Sequence, residues 1–338
     1  LDEMFSEVGT DMLYDYNRDK QRILMTFESG DSIYRIHFGI NGFNGLPNFV
    51  GIDRSSNGTD WVTINSAATD WLPPLRVAAV SNGDGSGKYA TGGNHGNVDK
   101  TARGDRTALN KLFQVRADGE MLEASRSANV ETIDILISND IMGWNTTLHQ
   151  PRYIMRQTFN LSFRAGSCEV QAHLEALEDV LLARDSALQC VTVGFQEQLC
   201  FYGKSVRQPY VNGMSSGSKG SAPDVMGVGL FSEENGQMVM WLDRHWEAGE
   251  GDMLHNDHPL VRISGNKAYL AVALDVDEDQ HDIKTTVALK AGQSYRYRGG
   301  YSWQATANHS GIDSSFYYHI NGKSHYAFVT GDGKLVTV

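Results

Sequence analysis

Arg152-Tyr153-Ile154-Met155-Arg156-Gln157-Thr158-Phe159-Asn160-Leu161-Ser162-Phe163-Arg164 is the stretch that decides the fold. Tyr153, Met155, Phe159, Leu161 and Phe163 share one face at period two, while Arg152, Arg156, Asn160 and Arg164 fall on or near the other. Successive side chains of a strand point to opposite faces, so this is a strand with one face on a core and the other toward solvent or ligand. Ile133, Ile135 and Ile137 alternate in the same way, and so do Val191, Val193, Phe195, Leu199 and Phe201.

Working outward, the turns agree with the strands. Asn235-Gly236 separates GVGLF from QMVMWL, Gly265-Asn266 separates LVRI from KAYLAVAL, and Gly331-Asp332-Gly333 separates HYAFVT from KLVTV. These residues supply the backbone conformations that hairpins demand. Helical signals are few. Asp11–Thr26 reads as a helix or a strand pair, and Glu175–Arg184 as a strand leading into a turn. Many short strands punctuated by glycine, with no 20–50-residue repeat, predict an all-β chain: a large antiparallel β-sandwich with few short helices. The expected organisation is a single domain over residues 1–338, with a small N-terminal subdomain over about 1–75 as the other option.

The formal net charge is −12, from 29 Lys+Arg against 41 Asp+Glu. That argues against nucleic acid, which needs a basic footprint, yet leaves room for a locally basic cleft that takes an anionic polysaccharide. No apolar run of about 18 residues exists, so no membrane insertion is expected. The numbered chain starts at Leu1 without a signal-like stretch. A processed protein, secreted or held at the cell surface or in the periplasm, is the expectation. Cys168, Cys190 and Cys200 are too few for a disulfide framework, although a Cys190–Cys200 bridge across a hairpin would be compatible with the spacing.

Five constellations offer chemistry. The first is Gly92-Gly93-Asn94-His95-Gly96, inside a Gly-, Asn-, Asp- and Ser-rich segment from Ser81 to Thr107. Flanking glycines clear space around an Asn-His pair that can hydrogen-bond and move a proton. Lys88, Tyr89, Lys100, Arg103 and Arg106 surround it in sequence, and a plain surface histidine in a basic loop is the competing reading. The second is His149-Gln150-Pro151-Arg152-Tyr153, where strand alternation separates His149 and Tyr153 from Arg152. The third runs from Tyr202 and Lys204 to Arg207 and Tyr210 at a strand end, suited to neutralising a carboxylate and moving a proton. The fourth joins Asp243-Arg244-His245 to His255, Asp257 and His258; these are good divalent-metal ligands but match no established spacing. The fifth is Tyr295, Tyr297, Tyr301 and Trp303, then Phe316, Tyr317 and Tyr318, with Arg296 and Arg298 interleaved. Those rings could stack on sugars or form a core strand. Gly30-Asp31-Ser32 looks like an esterase nucleophile block, but the strand-rich pattern disagrees with the fold such enzymes need. Arg103-Gly104-Asp105 is a chance-level tripeptide. Nucleotide-binding glycine motifs are absent.

Gln157–Phe163, Glu169–Val180 and Thr285–Trp303 together resemble the large β-sandwich domains of carbohydrate-active enzymes, among them galactose-mutarotase-like supersandwiches and some polysaccharide lyases. Leu289–Arg298 looks like their late strand pair, where a Leu-x-x-Gly-Gln turn leads into an aromatic strand. The resemblance implies a sandwich of supersandwich or jelly-roll type. Asn94-His95 is followed by Gly96-Asn97-Val98 rather than by the aromatic-rich segment of the mutarotase motif, which speaks against epimerase activity.

The chemistry implied for a lyase is β-elimination at a uronic acid, with an acidic polysaccharide or oligosaccharide as partner. Asn94 with Arg207 or Arg152 would neutralise the sugar carboxylate, with Lys204, Arg296 and Arg298 as further substrate-binding cations. His95 or His149 would take the C5 proton, and Tyr202 or Tyr210 would protonate the leaving oxygen. No cofactor is required on this reading, a divalent metal at His255, Asp257 and His258 being the one addition considered. A non-catalytic glycan-binding β-sandwich is the alternative, followed by a glycoside hydrolase, which would need paired carboxylates, or an epimerase.

Overall fold

The computed structural model describes residues 11–66, 70–84, 89–97, 104–202, 208–216, 227–243, 260–273, 287–305, 312–320, 323–330 and 335–337. Among these residues there is no helix, so the few short helices expected are not found there. Asp11–Thr26 resolves as a strand pair.

One sheet has six strands: β1 (Met12–Asn17), β2 (Arg22–Ser29), β3 (Ser32–Asn41), β4 (Leu46–Ser55), β5 (Val62–Asn65) and β9 (Arg126–Val130), in the order β5-β4-β3-β2-β1-β9. A second sheet has ten: β7 (Ala108–Ala117), β8 (Glu120–Met121), β10 (Ile133–Met142), β11 (Tyr153–Arg164), β12 (Ser167–Ala176), β15 (Gln198–Tyr202), β16 (Gln208–Pro209), β18 (Gly227–Ser232), β19 (Gly236–Leu242) and β23 (Ser294–Gln304). The order there is β16-β15-β18-β19-β23-β12-β11-β10-β7-β8. Three small sheets complete the chain. The first holds β6 (Leu75–Ala79), β13 (Val180–Asp185) and β22 (Val287–Leu289). The second holds β14 (Leu188–Val191), β17 (Ser215–Ser216), β20 (Leu260–Ser264) and β21 (Lys267–Ala271). The third holds β24 (Ile312–Ile320), β25 (Lys323–Thr330) and β26 (Leu335–Thr337). The pairings between named strands are antiparallel, as the glycine hairpins require.

The inner faces of the two large sheets pack into one core. The Phe38 and Phe163 rings lie 5.9 Å apart across the sandwich, and Phe49 meets Tyr301 at 5.1 Å and Trp71 at 4.9 Å. Each such ring contributes about 1.5–3 kcal/mol by leaving water. This continuous core runs from Met12 to Trp303. Met155, Phe159, Leu161 and Phe163 are buried as their alternation predicts, while Tyr153, read on the same face, is half-buried and Ile154 is buried instead, where the register with β10 shifts.

One further expectation changes. Val191–Phe201 is not one strand: β14 ends at Val191, a turn carrying the buried Phe195 follows, and β15 begins at Gln198. Burial of Phe195 by the turn mimics strand alternation. The three thiols are free and buried, so Cys190 and Cys200 are not bridged.

Candidate functional site

The Gly92–His95 element is a closed turn. The His95 amide donates to the Gly92 carbonyl at 3.0 Å. The His95 carbonyl accepts from Asn44 Nδ2 at 2.8 Å and Thr107 Oγ1 at 2.6 Å, while Asn44 Nδ2 also donates to the Gly93 carbonyl at 2.7 Å. Asn94 Oδ1 accepts from the Phe43 amide at 2.7 Å. The turn is therefore pinned to the β3–β4 connection, and part of the Asn94 side chain is spent on holding it there.

Beneath this turn lies Asp70, a residue that no sequence pattern singled out. Asn48 fixes the segment: its Oδ1 accepts the Trp71 and Leu72 amides at 3.2 and 3.1 Å, and its Nδ2 donates to the Leu72 carbonyl at 3.1 Å. The Asp70 side chain is 6% exposed, and its Oδ2 stands 3.7 Å from Nε2 of His95, whose side chain is 47% exposed. That is ion-pair range, beyond a hydrogen bond. Burial pushes the Asp70 carboxyl up to about 7, opposed by the Lys267 ammonium and by the Asn94 amide that donates to it. Gly93 is obligatory here. Its φ is +49°, and a Cβ would sit 2.4 Å from Asp70 Oδ1. Asn41, Gly42, Asn48, Asp70, Gly93 and Asn94 line the shallow depression at this point.

Asp70 is coupled electrostatically to a basic, aromatic group on β13, β20 and β21. Lys267 and Tyr269 share the outward face of β21, and Arg262 stands opposite Tyr269 on β20. Arg184 of β13 lies over the Tyr269 ring with its guanidinium carbon 5.3 Å from the centroid, and Arg76 of β6 faces Arg184 in register. Burial lowers the Lys267 ammonium against the pull of Asp70, and Arg184 lowers it further. Burial raises the Tyr269 phenol, against Arg184 and Arg262, while Asp70 adds to the rise. Asp70, Lys267, Tyr269, Arg184 and Arg262 thus form one electrostatically coupled group. Lys267 and Tyr269 come from an alternating hairpin strand, KAYLA, and that pattern shows exposure without showing what the exposed face meets.

The other candidates fall elsewhere. Tyr202 is fully buried and its hydroxyl accepts from Gln237 Nε2 at 2.8 Å, so it is a core residue and does not face a polymer. Tyr210 donates to the Gly265 carbonyl at 2.8 Å and stands 3.0 Å from Thr192 Oγ1, fastening the β20–β21 turn. His149 is exposed on the loop after β10, where the neighbouring Leu148 amide donates to Asp84 at 2.8 Å. Arg152 is paired with Glu178 at 2.9 Å and donates to the Ser81 carbonyl at 2.9 Å, stapling that loop. Arg296 and Arg298 lie on the outer face of the ten-stranded sheet, Arg296 opposite His173 and Arg298 ion-paired to Asp243 at 2.6 Å. Their aromatic neighbours Tyr295, Tyr297, Tyr301 and Trp303 are buried core and do not stack on a ligand. Lys204, Arg207, His255, Asp257 and His258 lie outside the described residues. Of the candidates that are described, Asn94 and His95 share the Asp70 site. Among the described residues no group of three His, Cys, Asp or Glu side chains is placed to hold a metal.

No protein-family model matches the chain, and no curated protein matches it in sequence. Among solved structures, heparinase III is similar over 94% of this chain and 41% of its own, at 7% identity and a TM-score of 0.36. The chain therefore spans about two fifths of the length of heparinase III. A protein described as an aldose 1-epimerase from Klebsiella pneumoniae subsp. pneumoniae MGH 78578 is similar over 83% of this chain and 79% of its own, at 9% identity and a TM-score of 0.33. One described as a mutarotase from Salmonella typhimurium is similar over 89% and 98%, at 8% identity and a TM-score of 0.35.

Proposed function

We propose that the protein is a polysaccharide lyase that cleaves an acidic, uronic-acid-containing glycan by β-elimination, with His95 as the base. The observation that carries this reading is the convergence of Lys267, Arg184 and Arg262 around Asp70 and Tyr269 on a chain whose net charge is −12. A cationic floor on an acidic protein concentrates field where an anionic ligand would rest.

In this reading the sugar carboxylate lies over Lys267 and Arg184, which makes the C5 proton acidic. The ring nitrogen of His95 that is not turned toward Asp70 removes that proton, the resulting imidazolium being stabilised by Asp70 on the Nε2 side. The electron pair left on C5 forms the C4–C5 double bond as the C4–O bond breaks, and the leaving oxygen takes a proton from Tyr269. Tyr269 thereby replaces Tyr202 and Tyr210 as the acid. Its burial keeps the phenol protonated, as a donor must be.

A panel of uronic-acid polysaccharides followed by absorbance near about 235 nm, where an unsaturated uronate absorbs, tests this directly. The expected result is a rise with at least one substrate, lost in His95→Ala, with Tyr269→Phe slowing turnover and Arg184→Gln raising KM. New reducing ends without absorbance would instead identify a hydrolase, and glycan retention with neither signal a binding module.

A further inference from the structure

A second His–Asp pair stands on the outer face of the six-stranded sheet, separate from Asp70. His37 Nε2 is 2.7 Å from Asp53 Oδ2, and His37 Nδ1 is 2.7 Å from Arg22 Nη2. A guanidinium can only donate, so Nδ1 is the acceptor and the imidazole is neutral with its proton on Nε2. Asp53 has little capacity left. Its Oδ2 also accepts from Arg35 Nε at 3.1 Å and Nη2 at 2.7 Å, and its Oδ1 accepts from Thr63 at 2.8 Å. The Arg35 guanidinium is held on its other side by the Trp61 ring, 3.9 Å from the centroid. Arg22, by contrast, reaches out from an exposed position.

Protonation of His37 turns Nδ1 into a donor facing another donor. The Arg22 hydrogen bond must then break, and the cluster of Arg22, Arg35, His37 and Asp53 gains a second net positive charge. The groups facing the imidazole are Asp53 from β4, Arg22 and Leu24 from β2 and Arg35 from its own strand; Asp15 of β1 lies in the same cross-strand row, one strand beyond Leu24. Gly39, opposite Arg22, presents no side chain.

We propose that Arg22 and His37 form an acid-gated oxyanion site, taking a carboxylate or a sulfate group between the guanidinium and the protonated imidazole. The anion accepts from both donors and restores the contact that protonation destroys. Burial and the flanking arginines keep the imidazole below its usual range, against Asp53, so the gate works on the acid side of neutrality. Because binding and protonation are linked, anion affinity weakens about tenfold per pH unit above the imidazole midpoint.

The test is a histidine NMR titration of the whole chain in chloride, in sodium glucuronate and in sodium sulfate at matched ionic strength, with His37 assigned from the signal missing in His37→Gln. The expected result is an upward shift of the His37 midpoint in glucuronate, in sulfate or in both, which also tells the carboxylate from the sulfate. In Arg22→Gln the midpoint starts higher, since a cation has gone, and no longer responds to either anion. The His173 signal reports that this variant is folded. A wild-type midpoint that neither anion moves overturns the proposal whether or not the variant folds, and so does a full response in folded Arg22→Gln. Neither outcome depends on the elimination chemistry at His95.

Discussion

Gly93→Ala should be far more damaging than its one added carbon suggests, because two separate costs meet at that position. The backbone there has φ +49°, and the new Cβ would lie 2.4, 2.5 and 2.8 Å from Asp70 Oδ1, Cγ and Oδ2. Alanine in a left-handed conformation costs about 1–2 kcal/mol. Overpacking adds about 1–3 kcal/mol. The carboxylate cannot swing aside cheaply, since it is buried and held by the Asn94 amide. Gly119→Ala isolates the first cost: φ is +83° in the β7–β8 turn and a Cβ there meets nothing within 4 Å. Urea unfolding with linear extrapolation gives both losses on one scale. Gly93→Ala should exceed Gly119→Ala by the overpacking difference, about 1–3 kcal/mol. Equal losses would show that Asp70 does not lie under the turn, and the candidate site would fall with it.

Asp70→Asn should change the pH dependence of stability. The carboxyl titrates at about 7 in the fold against 3.8 as the ordinary value, so the native state holds its proton through that window and the wild type loses stability as pH rises from 3.8 to 7. At 1.36 kcal/mol per unit the swing is about 4 kcal/mol, which asparagine lacks. Unfolding free energies near about pH 4 and 8 should therefore show the variant gaining on the wild type toward higher pH, and parallel curves would contradict this. Asp185, also raised by burial to about 6, acts in the same direction in both proteins and cancels in the difference. Tyr202→Phe should leave turnover of any substrate found unchanged, because that hydroxyl serves only inside the core. A loss as large as that of His95→Ala would place it back at the site.

The extent to which sequence foretold the site differs residue by residue. Asn94 and His95 were visible because paired glycines mark a turn where a backbone must take an unusual conformation and approach something closely. What it approaches, Asp70, carried no local signal: the residue is set by Asn48 and Trp71, and its character comes from being buried, which is a property of the assembled sandwich. The same holds for Tyr202. A phenol at the end of a strand looks accessible until a neighbouring strand brings Gln237 and covers it. Tyr295, Tyr297 and Tyr301 alternate equally well as a sugar platform and as a core strand, and only the facing sheet distinguishes the two.

Sequence by itself determined strands such as Phe159–Phe163 with their buried face, and turns such as Gly265-Asn266, because period-two burial and left-handed turn residues act over a few neighbours along the chain. The tertiary structure alone decided that His95 meets Asp70, that Lys267, Tyr269 and Arg184 gather beside it, and that His37 stands between Asp53 and Arg22. Those contacts join residues far apart in the chain, and burial, charge coupling and hydrogen bonding exist only once the sheets have packed.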